Sequence, residues 1–279
     1  MNRVYANEGR RHRPLLARGG ALREAGVAAV LWLLWQIAML QFISMPPRLA
    51  VIWLWSTAGF LAWCYAAPNG WSSPRRRATT RARPVPRGAW PWLVLLAPLM
   101  SVAVISMWAL LGALGIASDH TLPKEITQYG ERPGGMVVLV ILLAGVIPML
   151  EEFAFRGWVQ RPLERRFGAV PAITTTALVF AAAHGDPRGL PIFVAGGAAL
   201  GYTAWATRSV WSSFVLHLSW NAGALLFDGV FPGFNPAAYG RGLALPSALA
   251  FAACLGIFIW VAPRLRAAGL AASRVGAAG

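Results

Sequence analysis

Apolar positions in this chain run in long blocks. Stretches free of charged side chains cover 26–47, 49–74, 88–118, 133–150, 167–185, 189–207, 209–227 and 242–263. Each is near or above the 17–25 residues that an α-helix needs to cross about 30 Å of hydrocarbon. Runs such as residues 136–143 do not alternate in polarity, so a membrane barrel is not the expected form. The pattern predicts an all-α, polytopic membrane helical bundle of about eight transmembrane helices. Four parts are expected: a basic leader (1–25), helices one to three with a basic loop at 75–87 (26–133), helices four to seven (134–227), and the last helix with a basic tail (228–279).

Composition agrees with a bilayer as solvent. Of 279 residues 57% are hydrophobic and only 13% charged, too few to cover a soluble fold. The net charge of +15 matches nucleic-acid binding in number only, because its distribution is topological. If residues 1–25 are cytoplasmic, strict alternation puts 20 Lys and Arg on the cytoplasmic side and five on the other. The positive-inside rule then places both termini in the cytoplasm. The first apolar stretch reads as a retained signal anchor, and Arg75-Arg76-Arg77 as a solvated topogenic loop beside anionic lipid. The expected partners are the lipid bilayer and a membrane-anchored protein or peptide, with no nucleic acid.

Several features read as packing. Cys64 and Cys254 lie in apolar stretches with no Cys-x-x-Cys spacing. Trp53, Trp55, Trp63, Trp71, Trp90 and Trp92 sit near span ends, as an interfacial belt requires. Gly197-x-x-x-Gly201 permits close helix approach but is given no functional weight, since the chain has 29 glycines.

The candidate chemistry lies in polar residues inside apolar runs. Glu151-Glu152 follows Val140–Leu150 directly, and each carboxylate costs about 2.5–3.5 kcal/mol at a helix centre on insertion scales. Glu152 and Arg156 stand four apart with the acid first, the favourable ion-pair order, whereas Glu151 is turned about 100° away. Arg156 can therefore neutralise one carboxylate and leave the other to take a proton. His184 ends Phe180-Ala-Ala-Ala-His184, and His217 shares a helix face with Asn221. At about 1.5 Å per residue these groups fall in one midplane band, provided that the fourth helix runs past Arg156 to about Arg161 or beyond.

A desolvated carboxylate can act as a base toward water, an imidazole can share a proton or bind a metal, and an amide can donate to an oxyanion. Hydrolysis of an amide bond within the membrane uses all of these. No Gly-x-Ser-x-Gly or His-Glu-x-x-His is present, so neither an activated serine nor the commonest zinc-protease pattern is indicated. Other readings of the cluster are a set of interhelical hydrogen bonds in a non-catalytic immunity or partner-binding protein, and a proton-coupled transporter, though no inverted repeat is visible.

The ordered set Glu151-Glu152-x-x-x-Arg156, Phe180-x-x-x-His184 and His217-x-x-x-Asn221 resembles the CPBP family of intramembrane proteases. That family includes type II CaaX prenyl endopeptidases and bacterial relatives linked to bacteriocin processing or self-immunity. The resemblance covers about 134–227. It implies an eight-helix fold, a bacterial plasma-membrane location, and Glu151 as the base with His184 beside it. It further implies His217 and Asn221 at the oxyanion, with Glu152 and Arg156 in support. The cofactor stays open between none and Zn2+ held by Glu151, His184 and His217.

Overall fold

The computed structural model describes residues 80–116, 128–231 and 233–278. The leader, the first two apolar stretches, Arg75–Arg77, Trp53, Trp55, Trp63, Trp71 and Cys64 lie outside the described residues. Within them the chain is helical throughout: α1 (Trp90–Ala113), α2 (Gly135–Phe167), α3 (Ala169–Ala183), α4 (Leu190–Thr207), α5 (Val210–Val230) and α6 (Arg241–Ala278). Short 3-10 turns at Arg87–Ala89 and Pro236–Tyr239 lead into α1 and α6.

Four of these segments are long and apolar enough to cross a membrane: Arg87–Ala113, Gly135–Phe167, Leu190–Thr207 and Arg241–Arg274. The remaining two differ for physical reasons. Helix α3 has only 15 residues, two fewer than the shortest usual span. Helix α5 has 21, but it carries Ser212, Ser213, His217, Ser219 and Asn221.

Helix α2 is the element that positions the site. The charge-free stretch ends at Leu150, yet the helix continues to Phe167, 33 residues in all and roughly 50 Å at 1.5 Å per residue. It tolerates Glu151, Glu152, Arg156 and Gln160 because all four are buried against protein rather than exposed to lipid. Two π-helical segments, Val140–Val146 and Glu152–Val159, flank Pro148. Gly168, at φ 86° and ψ 173°, then breaks the run; a Cβ is poorly tolerated in that conformation.

Helices α1 and α6 pack together, with Trp92 edge-on to Trp260 and Arg264 over both rings. The arginines expected at the end of the chain, Arg264, Arg266 and Arg274, all lie on α6. Arg208 Nη1 donates to Ser273 Oγ at 2.7 Å, which ties the end of α4 to that helix.

The basic loop also departs from a purely solvated one. Arg81 is only 3% exposed and pairs with Glu164 near the end of α2. Its carbonyl accepts the Val210 amide at 3.0 Å, and the Arg83 carbonyl accepts Ser209 Oγ at 2.6 Å. Residues 80–83 thus strap α2 to the start of α5. These contacts bring Arg81, Arg83, Arg161, Arg165, Arg166 and Arg208 to one end of the bundle.

Candidate active site

Four charged or titratable side chains meet where α2 faces α5. Glu151 and Glu152 are 4% and 0% exposed, and Arg156 and His217 are 0% and 2%. Arg156 Nη1 lies 3.1 Å from Glu152 Oε1, the i,i+4 pair expected from the spacing. His217 stands between the carboxylates, with Nδ1 2.8 Å from Glu152 Oε1 and Nε2 3.4 Å from Glu151 Oε2. A carboxylate oxygen accepts, so Nδ1 carries a hydrogen and His217 is oriented by Glu152.

This arrangement closes electrostatically. Arg156 and Glu152 cancel, and Glu151 and His217 cancel too, whether both are neutral or the proton has passed to the ring. A neutral sum is what a site with no exposed charge requires, because an uncompensated buried ion costs several kcal/mol.

Helix α4 completes the support. Arg156 Nη2 donates to the Gly197 carbonyl at 3.1 Å, and one turn on, Gln160 Nε2 donates to the Gly201 carbonyl at 2.9 Å. Gln160 Nε2 also reaches Glu164 Oε1 at 2.7 Å. Polar positions 152, 156, 160 and 164 therefore form a seam along one face of α2. Gly197-x-x-x-Gly201, read as packing only, supplies the acceptors for this seam. At Gly201 the absence of a side chain lets Gln160 approach, since a Cβ there would sit 2.8 Å from Gln160 Oε1, whereas one on Gly197 would meet Ala177 and Phe180.

His184 joins the cluster through rings. It caps α3, and its Nδ1 lies 2.8 Å from the Phe180 carbonyl, so Nδ1 is the donor and a neutral ring keeps Nε2 as an acceptor. The ring stacks on Phe193 with centroids 3.9 Å apart. Phe180 packs edge-on to both histidines, at 4.6 Å from His184 and 5.7 Å from His217, and Arg156 lies 4.6 Å over its face. Phe193 and Trp220, which pack against this group, are partners that residue spacing alone does not single out.

Asn221 is placed differently from a free donor. Its Nδ2 gives a 2.6 Å hydrogen bond to the Leu143 carbonyl on α2. The metal set left open by the sequence is not assembled either. Among the described residues, no three His, Cys, Asp or Glu side chains gather so that they could hold an ion. His217 turns one nitrogen to each glutamate. The Glu151, His184 and His217 donors do not fit zinc as arranged.

Residues 133–223, which span α2 to most of α5 and hold all six candidate residues, match the family model described as type II CAAX prenyl endopeptidase Rce1-like. This segment is similar to Rce1-like proteins. No curated protein and no solved structure matches the chain. The Rce1-like match supports a peptidase in a helical membrane protein, in agreement with the apolar helices that frame the domain.

Proposed function

We propose that the chain is an intramembrane endopeptidase that hydrolyses a peptide bond in a membrane-associated or prenylated substrate. The observation that carries this reading is the two-sided contact of His217 with Glu152 and Glu151. It joins a carboxylate paired with Arg156 to one that has no guanidinium pair among the described residues.

The chemistry follows from that difference. Ionised Glu151 takes a proton from a water molecule held between it and the acceptor nitrogen of His184. The hydroxide attacks the scissile carbonyl carbon, and the carbonyl π electrons move onto oxygen. His217, anchored through Nδ1 on Glu152, offers Nε2–H to that oxyanion. When the tetrahedral species collapses, the C–N bond breaks and Glu151 returns its proton to the leaving amine. Glu152 and Arg156 touch none of the reacting atoms; they hold His217.

In this reading residues 134–227 are the catalytic core, and the helices at 26–133 and 228–279 frame it. The arginine-rich end, with Arg81, Arg83, Arg161 and Arg208, faces the cytoplasm of a bacterial cell. The substrate class is tested by comparing two probes with purified protein in detergent: a farnesylated peptide ending in a CaaX sequence, and the same peptide without the lipid. Cleavage of the farnesylated peptide supports a prenyl endopeptidase. Cleavage of both peptides alike assigns a general peptide substrate, and cleavage of neither counts against the peptidase reading.

A further inference from the structure

The hydrogen bond from Asn221 to Leu143 has a cause in the covalent structure of α2. In an α-helix the Leu143 carbonyl accepts from the amide of Ile147. Here that amide is bonded to the Leu142 carbonyl instead, at the end of the π-helical segment Val140–Val146. In the π register the partner of Leu143 would be residue 148, which is Pro148 and has no N–H. Both backbone donors are thus lost to Leu143, and inside a membrane an unpaired carbonyl is costly. The Asn221 amide takes it at 2.6 Å.

Two contacts from one face of α5 therefore grip α2 on either side of Pro148. Asn221 holds Leu143 before the proline, and His217, one turn away on α5, holds Glu151 and Glu152 after it. If Ile147 returned its amide to Leu143, the segment would slip by one residue. A slip of one residue turns a helix by about 100°, enough to carry Glu151 away from His217.

We infer that Asn221 is a positioning residue, which pins the carbonyl orphaned by Pro148 and so fixes the rotation of α2 that presents Glu151. This deepens the peptidase reading and departs from the oxyanion role that the family resemblance implies. Only the kinetic part of its test rests on that reading.

The test is a double-mutant cycle on the full chain in detergent, with Asn221→Ala, Pro148→Ala and the double variant. Thermal midpoints are measured for all four proteins. Kinetics use the farnesylated CaaX peptide or whichever probe the parent cleaves. Asn221→Ala is expected to lower the midpoint. The drop is expected to shrink in the Pro148→Ala background, where residue 148 regains an N–H for Leu143. Asn221→Ala is also expected to move the pH profile of kcat, because Glu151 and His217 are no longer in register. A fall in kcat at every pH with the midpoint unchanged would assign Asn221 to the oxyanion and overturn the inference. An equal drop in midpoint with and without Pro148 would overturn it as well. The midpoints decide the matter even if no probe peptide is cleaved.

Discussion

The guanidinium of Arg156 donates to the backbone carbonyl of Gly197 at 3.1 Å while it pairs with Glu152 at the same distance. One planar group thus ties an α2 carboxylate to α4, inside a site where Arg156 has no exposed surface. Lysine has the charge but not the fork. Arg156→Ala is expected to destabilise the protein by about 3–5 kcal/mol, because it strands a buried carboxylate. Arg156→Lys is expected to restore only part of that loss. Thermal midpoints of the three proteins in one detergent check both; full recovery with lysine would show that charge alone suffices.

Close approach along α4 makes a second expectation. A Cβ on Gly196 would lie 2.1 Å from Cζ3 of Trp220, and one on Gly201 would lie 2.8 Å from Gln160 Oε1. The indole is a rigid ring, whereas the Gln160 amide ends a flexible chain. Gly196→Ala is therefore expected to cost more than Gly201→Ala, with overpacking penalties of about 1–3 kcal/mol. The order of the two midpoints is the readout.

His184 gives a way to separate packing from chemistry. Its ring stacks on Phe193 and meets Phe180 edge-on, which phenylalanine can imitate, but only imidazole offers a nitrogen to water. His184→Phe is expected to keep the thermal midpoint and to lower kcat by about 10²–10⁴-fold, the usual share of proton-transfer catalysis. Activity retained in His184→Phe would leave the ring a packing role only.

The sequence made some of this architecture legible and concealed the rest for definite reasons. The stretches at 88–118 and 189–207 appear as Trp90–Ala113 and Leu190–Thr207, since apolar runs report lipid-spanning helices directly. The Glu152–Arg156 pair was readable from i,i+4 geometry alone. The extension of α2 to Phe167 was legible only as a condition for the residues to meet, because a polar face turned toward other helices looks like a span end when charge is the criterion. Charge count alone does not show where Arg264 and Arg266 sit: both lie along α6, over Trp92, Trp260 and Trp205. Gly197 and Gly201 carried no side-chain signal for the part they play, which is made by their carbonyls. The lost partner of Leu143 was implicit in Pro148, but the π register that completes the loss has no mark in residue type.

The central claim is that Glu151 is the base that activates water. Its most direct measurement is the cleavage rate of the parent and of Glu151→Gln on one lipidated peptide in proteoliposomes, at matched thermal midpoints. The amide keeps the size of the side chain and removes its capacity to take a proton. The parent is expected to cleave, and Glu151→Gln to be slower by about 10²–10⁴-fold or more. Cleavage by Glu151→Gln at the parent's rate would contradict the claim.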